Sequence, residues 1–422
     1  MKRLPNAALW SDHSIGMLAF VAVFPGFFFY HTLLGLGKIG ALLGGFFAPV
    51  SLAVVLPLIF FYFYKVRRHP GQLGRGDVFF LLYIAYFAIV VIFQAAAGAN
   101  LVIVGNHFLG MLYSVNMFMM FRLADFGRRN FRLLGLACLF GMSAIVFMYS
   151  VDGSFYLAPL GTAKNPESLA TYQGFSRSYL VTFAVVIAFT RSTALRVVLY
   201  CVAAPTLFVN TARSEFVAML FMIPIIETYY SKQKLLMVSA LAILFIGTYH
   251  NLEALLSLLP ENRILELVDL SQSSSAKKRH HLSMHALNTI ANFPIFGDYG
   301  SYTPGFYSHN ALSAWVDTGL FGFLFVLALL ILPLIQMLAR GYFLRQRSPV
   351  LILAFSMGCI TLLLLITSHY FTDMFIGATL GAYTRYRYER KNAKHRAPHL
   401  GSPSPRHPDL HQTMPQAGAA RI

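Results

Sequence analysis

Long apolar runs separated by short polar breaks dominate this chain. A helix needs about 20 consecutive apolar residues to cross a bilayer. The pattern predicts such runs at 15–34, 39–64, 77–97, 101–121, 133–150, 174–190, 197–210, 215–230, 235–250, 311–338, 350–370 and 372–384. The expected fold class is an all-α polytopic membrane protein with about 12 transmembrane helices. Spans one to nine would occupy residues 1–250 and spans ten to twelve residues 311–384, with one large loop, 251–310, between them. The first run follows Lys2 and Arg3 without a small-residue cleavage site, which reads as a retained signal-anchor. Residues 385–422 form a basic tail, and after Arg390 it turns to Pro, His, Gly and Ser, the composition of a disordered segment.

The long loop carries helical periodicity of its own. Leu252, Leu255, Leu256 and Leu259 share a face, and the pattern resumes after Pro260 with Ile264, Leu267 and Val268. A second helix places Leu282, Ala286, Thr289 and Ile290 on one side, with Ser273 to Ser275 as starts and Pro294 and Gly297 as stops.

Composition removes the soluble alternatives. The chain is 57% hydrophobic and 12% charged, where soluble domains run about 45–50% and about 25%. The net charge of +17 therefore speaks to topology and not to nucleic-acid binding. With both termini cytoplasmic, 25 of the 33 Lys and Arg fall on the inner segments, in line with the positive-inside rule. Four of the remaining eight, Arg263, Lys277, Lys278 and Arg279, sit in the outward loop. Cys138, Cys201 and Cys359 lie within apolar runs, which excludes a disulfide framework and points to packing.

Candidate chemistry gathers on the outward side. Arg213 stands at a helix break, where it either pairs with Glu215 and snorkels to the interface or clamps an anion through its planar guanidinium. Lys277, Lys278 and Arg279 are either a solvated face or contacts for a polyanionic lipid headgroup. His281 and His285 have metal-compatible spacing, but no third ligand follows, so no metal and no cofactor is expected. His309, where the loop re-enters the membrane, can act as a base or simply hydrogen-bond at a helix start with Asn310 as cap. Asp317, one to two turns on, would orient His309 or pair with an arginine. His369 and Asp373 fall on the same side as weaker candidates. The turn from Asn292 to Gly300 has a structural explanation in its glycines.

Taken in order, these pieces resemble the bacterial O-antigen ligase family, whose conserved region is shared with many O-antigen polymerases. Ser308-His309-Asn310-Ala311-Leu312 followed by Asp317-Thr318-Gly319-Leu320-Phe321-Gly322 carries the strongest likeness. Arg279, Ala286-Leu287 and Pro294-Ile295-Phe296-Gly297 resemble the upstream stretch, and Arg213-Ser214 resembles an earlier outward motif. The sequence departs from the pattern in its second glycine, one place late at Gly300, and in Ala212, where a serine is often found.

The resemblance implies a metal-independent glycosyltransferase of the GT-C kind in the bacterial inner membrane, its site facing the periplasm. The donor would be a glycan on undecaprenyl pyrophosphate and the acceptor a sugar hydroxyl of lipid A-core. Arg213 and Arg279 would stabilise the departing pyrophosphate. His309 would deprotonate the acceptor or hydrogen-bond the pyrophosphate, and Lys278, Asn310 and Asp317 would bind substrate. An O-antigen or exopolysaccharide polymerase, with the same donor and a lipid-linked acceptor, remains open. So does a protein O-oligosaccharyltransferase. A polytopic transporter or flippase is the alternative from another class. Oligomeric state is not legible.

Overall fold

The computed structural model describes residues 12–40, 46–68, 73–155, 172–257, 260, 262, 264–265, 274–344 and 347–396. Helices succeed one another almost without interruption. The first half contains α1 (Asp12–Val23), α2 (Pro25–Gly35), α3 (Phe47–Arg68), α4 (Arg75–Ala96), α5 (Leu101–Leu123) and α6 (Arg129–Met148). A two-residue hairpin, β1 (Ser150–Val151) and β2 (Ser154–Phe155), follows. Then come α7 (Tyr172–Ala188), α8 (Thr193–Val209), α9 (Arg213–Tyr230), α10 (Lys234–His250), α11 (Leu252–Ser257) and α12 (Ser274–Asn292). The chain closes with α13 (Leu312–Met337), a π-helical turn over Leu338–Tyr342, α14 (Pro349–Thr367) and α15 (Phe375–Arg396).

Among the described residues, seven segments are long and apolar enough to cross a membrane: His13–Gly35, α3, α4, α5, α6, Leu312–Tyr342 and α14. Large apolar side chains face outward along them, as with Leu52, Leu56 and Phe60 on α3 and Ile89, Ile92 and Phe93 on α4. Outward apolar faces on this extent of surface belong in lipid and not in water. The protein is thus an all-α polytopic membrane protein.

The first run is one apolar segment, His13–Gly35, as expected, with a joint where Pro25 lacks an N–H and restarts the helix as α2. Two expectations need correction. Span ten is broken at Gly319, whose φ of 71° and ψ of −179° leave the helical region. The last helix does not end at 384. It continues through the basic residues to Arg396, helped by the i,i+4 pair of Arg385 with Glu389 at 2.9 Å and by burial of Tyr383 and Tyr386. The rest of the expected disordered tail, from 397 on, lies outside the described residues.

The centre is built from α5, α7, α14 and α15. α7 is buried over nearly its whole length, from Ser178 to Ala188. α5 and α15 meet backbone to backbone: a Cβ at Gly377 would lie 2.0 Å from the Ser114 carbonyl oxygen, and one at Gly381 2.3 Å from that of Phe118. Small residues that let helices touch are how helices associate in lipid, where apolar burial gives little drive. At one end of the bundle, buried ion pairs join helix termini. Asp77 accepts from Arg122 Nε at 3.1 Å and Tyr62 at 3.1 Å, and Glu227 from Arg196 at 2.6 and 2.8 Å.

Candidate functional site

At the opposite end, α12 lies against the start of α13 through a small apolar cluster of Ala286, Ile290 and Val316. The predicted face of this loop helix is the one it buries. The turn after α12 then docks into the break in α13. Asp298 N–H donates to the Val316 carbonyl at 2.9 Å, Leu320 N–H to that of Ile295 at 2.9 Å, and Trp315 Nε1 to that of Pro294 at 2.7 Å. Gly297 and Gly319 make this contact possible. Both have φ near +70°, and a Cβ on either would fall about 2.5 Å or less from a backbone oxygen of the other segment. The turn and the break are one interlocked unit.

Asp317 sits just above this lock, with its side chain fully buried. It accepts from Gly300 N–H at 2.9 Å, from Tyr302 at 3.1 Å and from the Tyr370 hydroxyl. His107 on α5 touches the hydroxyls of Tyr299 and Tyr370, each at 2.6 Å. The expected pairing of Asp317 with His309 or an arginine is therefore replaced by donors that pin the turn and the α14–α15 loop together. Asn310 has a similar part. Its carbonyl accepts from Ser308 and from Leu312 N–H at 2.8 and 3.0 Å, and its amide donates to Ser283 at 2.9 Å, joining α12 to α13.

Beside this frame is a buried acid–base cluster. His369 Nδ1 lies 2.9 Å from Asp373, and its Nε2 3.6 Å from Glu215. Arg177 reaches Asp373 at 3.2 Å and Glu215 at 3.9 Å. Burial works against a charged His369, but Asp373 and Glu215 outweigh it and raise its pKa. Burial likewise opposes ionisation of Asp373, yet Arg177 and His369 hold its carboxyl below the usual range. Nearby polar groups are incompletely satisfied. Ser176 Oγ, Arg177 Nε and both polar atoms of the Asn210 side chain are buried without a hydrogen-bond partner among the described residues.

His309 faces this cluster across Tyr307, whose ring centroid is 4.7 Å from that of His309 and 4.4 Å from that of Tyr370. Its pKa is lowered to about 4 by burial first, then by the positive charges of Arg279, His369 and Lys278. Lys278, Arg279, Asn310 and His309 are thus brought together. Lys278 also lies 4.2 Å over the Phe306 ring. Arg213 stands on the adjoining wall as the first residue of α9, two positions before Glu215. Glu215, the local partner expected for it, accepts from Ser214 at 2.7 Å and also meets Arg177 and His369. The turn leading to Arg213 places Thr211 at φ 63°, a conformation a β-branched residue rarely adopts.

In the sequence, His369 and Asp373 stand out weakly, Glu215 only as a partner for Arg213, Arg177 only as one of the eight outward basic residues, and the tyrosines not at all. These residues come from α7, α9 and the α14–α15 loop, and nothing local marks their convergence. The signal that was present was the isolated outward charge of Arg177. Among the described residues, no three His, Cys, Asp or Glu side chains converge where a metal ion could be held. No family model matches the chain, and the comparison with curated proteins finds no match.

Proposed function

We propose that the protein is an O-antigen ligase, a GT-C-like glycosyltransferase of the bacterial inner membrane with twelve spans, cytoplasmic termini and a periplasmic site. One observation carries the reading. An uncharged histidine stands among Lys278, Arg279 and a buried Arg177–Glu215–His369–Asp373 cluster, at one end of an apolar helix bundle. That combination suits a diphosphate leaving group and a hydroxyl nucleophile.

In the proposed reaction, the acceptor hydroxyl on lipid A-core loses its proton to His309 as its oxygen bonds the anomeric carbon. The bond from that carbon to the pyrophosphate breaks with inversion, and undecaprenyl pyrophosphate leaves with the electron pair. Arg213 and Arg279 are assigned to the growing charge on the phosphates, as preorganised donors in a site shielded from water. The cations that depress His309 are the ones a pyrophosphate neutralises, so donor binding makes the histidine a better base. Lys278 adds long-range attraction. Asp317 and Asn310 are assigned positioning roles, because their polar atoms already hold the frame.

Deletion of the gene in its host, with restoration by wild type or His309→Ala, tests the reading on a lipopolysaccharide gel. A ligase deletion removes the O-antigen ladder while lipid-linked polymer accumulates, and His309→Ala fails to restore it. A core bearing a single repeat identifies a polymerase instead. An untouched ladder overturns both and brings the transporter reading forward.

A further inference from the structure

A cavity of about 840 Å³ lies at the other end of the bundle. It opens between the start of α4, the last turns of α13 and the end of α15. Its mouth carries Arg75, Arg340, Arg387, Arg390 and Lys391. The acid in its lining, Asp77, is buried and paired with Arg122. Arg75 and Arg340 are exposed and have no carboxylate partner among the described residues. Arg387 is held in place by Gln336 at 2.6 Å and by the Tyr383 hydroxyl at 3.2 Å, with no acid partner among the described residues.

Below the mouth the wall becomes apolar. Phe325, Leu329, Leu332 and Pro333 form one stripe of α13 that ends at Gln336. From Phe325 to Gln336 the helix rises about 16 Å, at 1.5 Å per residue. That is about half the thickness of a bilayer's hydrocarbon core. Arg340 lies in the Leu338–Tyr342 π-turn, and such insertions recur at functional sites.

We infer that this groove binds one anionic phospholipid of the adjoining leaflet, its phosphate among Arg75, Arg340 and Arg387 and an acyl chain along the Phe325–Pro333 stripe. Basic residues at a membrane surface need no cavity to set topology. A cavity with cations at the rim and an apolar wall one leaflet deep matches a charged amphiphile, not a soluble anion. The inference is independent of the glycan-transfer reading, since the groove lies at the end of the bundle away from His309.

Native mass spectrometry of the full-length protein in detergent, titrated with phosphatidylglycerol or phosphatidylcholine, tests it. One phosphatidylglycerol is expected to remain bound under conditions that strip phosphatidylcholine. Each cation near a membrane surface contributes about a fivefold preference for anionic lipid. The Arg75→Ala/Arg340→Ala pair should therefore weaken that lipid about thirtyfold. Arg67→Ala/Arg132→Ala, basic residues at the same end and outside the groove, should leave it unchanged. Ala328→Trp, which fills the wall without altering charge, should also release the lipid, and a thermal melt matching wild type shows that the variant folds. Equal retention of phosphatidylcholine, equal loss in the control pair, or displacement by millimolar inorganic phosphate overturns the inference.

Discussion

His309 and His369 are neighbours pushed in opposite directions, and each direction has a consequence. Lowered to about 4, His309 is neutral in the free protein at any physiological pH. Under the proposed mechanism, kcat/KM for transfer should stay flat through neutrality and fall only as pH drops through about 4. With donor bound, the phosphates offset Lys278 and Arg279. The acid limb of kcat should then move up by the share those charges contribute, while burial, the larger cause, holds it below the ordinary histidine value. Coincident limbs in the two profiles would exclude His309 as the base. His309→Ala should cost about 10²–10⁴-fold in kcat, whereas retention of activity in His309→Gln would assign it to hydrogen bonding. His369 has the opposite sign. With its pKa raised by Asp373 and Glu215, its contribution to stability is full below about pH 6.5 and declines as pH rises through the raised value. The lowered Asp373 contributes fully above about pH 4 and loses its share as pH falls through its folded value. Arg177 links both acids. Arg177→Ala takes away one of their two cations and leaves His369, which should cost about 1–3 kcal/mol, read as a drop in thermal midpoint in detergent. An unchanged midpoint would show that the cluster relaxes through water.

The interlock between the Pro294–Gly300 turn and the break in α13 makes a sharper prediction about segments. Gly319→Ala places a methyl group 2.5 Å from the Ile295 carbonyl in a left-handed backbone. It should undo the docking and release α12, measured as faster proteolysis within 274–300 with the remaining helices protected. Thr211→Gly should act in the other direction and stabilise the α8–α9 turn by about 1 kcal/mol, since the left-handed strain there is relieved. Most helices were legible as apolar runs, because the bilayer demands length and hydrophobicity together. The breaks were not. Pro25 and Gly319 sit inside uninterrupted apolar stretches, and only tertiary contact decides whether a glycine in such a run bends. The basic loop helix and His309 were legible because they follow one another in the chain. The Arg177–Glu215–His369–Asp373 cluster was not, since its members are joined across nearly two hundred residues by folding alone.

The molecule as a whole has two polar ends of different character. One holds a buried acid–base cluster that is incompletely satisfied; the other pairs its buried acids with arginines and carries exposed cations around a groove. The proposed orientation puts the first outside the cell membrane. In a background with the three cysteines replaced by alanine, Lys277→Cys should react with an impermeant maleimide in spheroplasts, and Lys232→Cys only after permeabilisation. The reverse pattern would invert the topology and with it the site's compartment.

The glycine seam between α5 and α15 bears on how a bulky substrate enters. Gly377 and Gly381 leave those two helices no room to approach or slide, and Gly110 wedges Thr372 of the intervening loop against α5. His369 and Asp373 therefore hang from a wall that does not give. α12, with Lys278 and Arg279, is held by a small apolar cluster, Ala286 and Ile290 against Val316 with Tyr302, Leu312 and Trp315 around them, and by the Asn310–Ser283 hydrogen bond. Under the proposed reaction, a lipid-linked polymer would gain access on the α12 side, with the acid–base residues kept in register by the glycine seam.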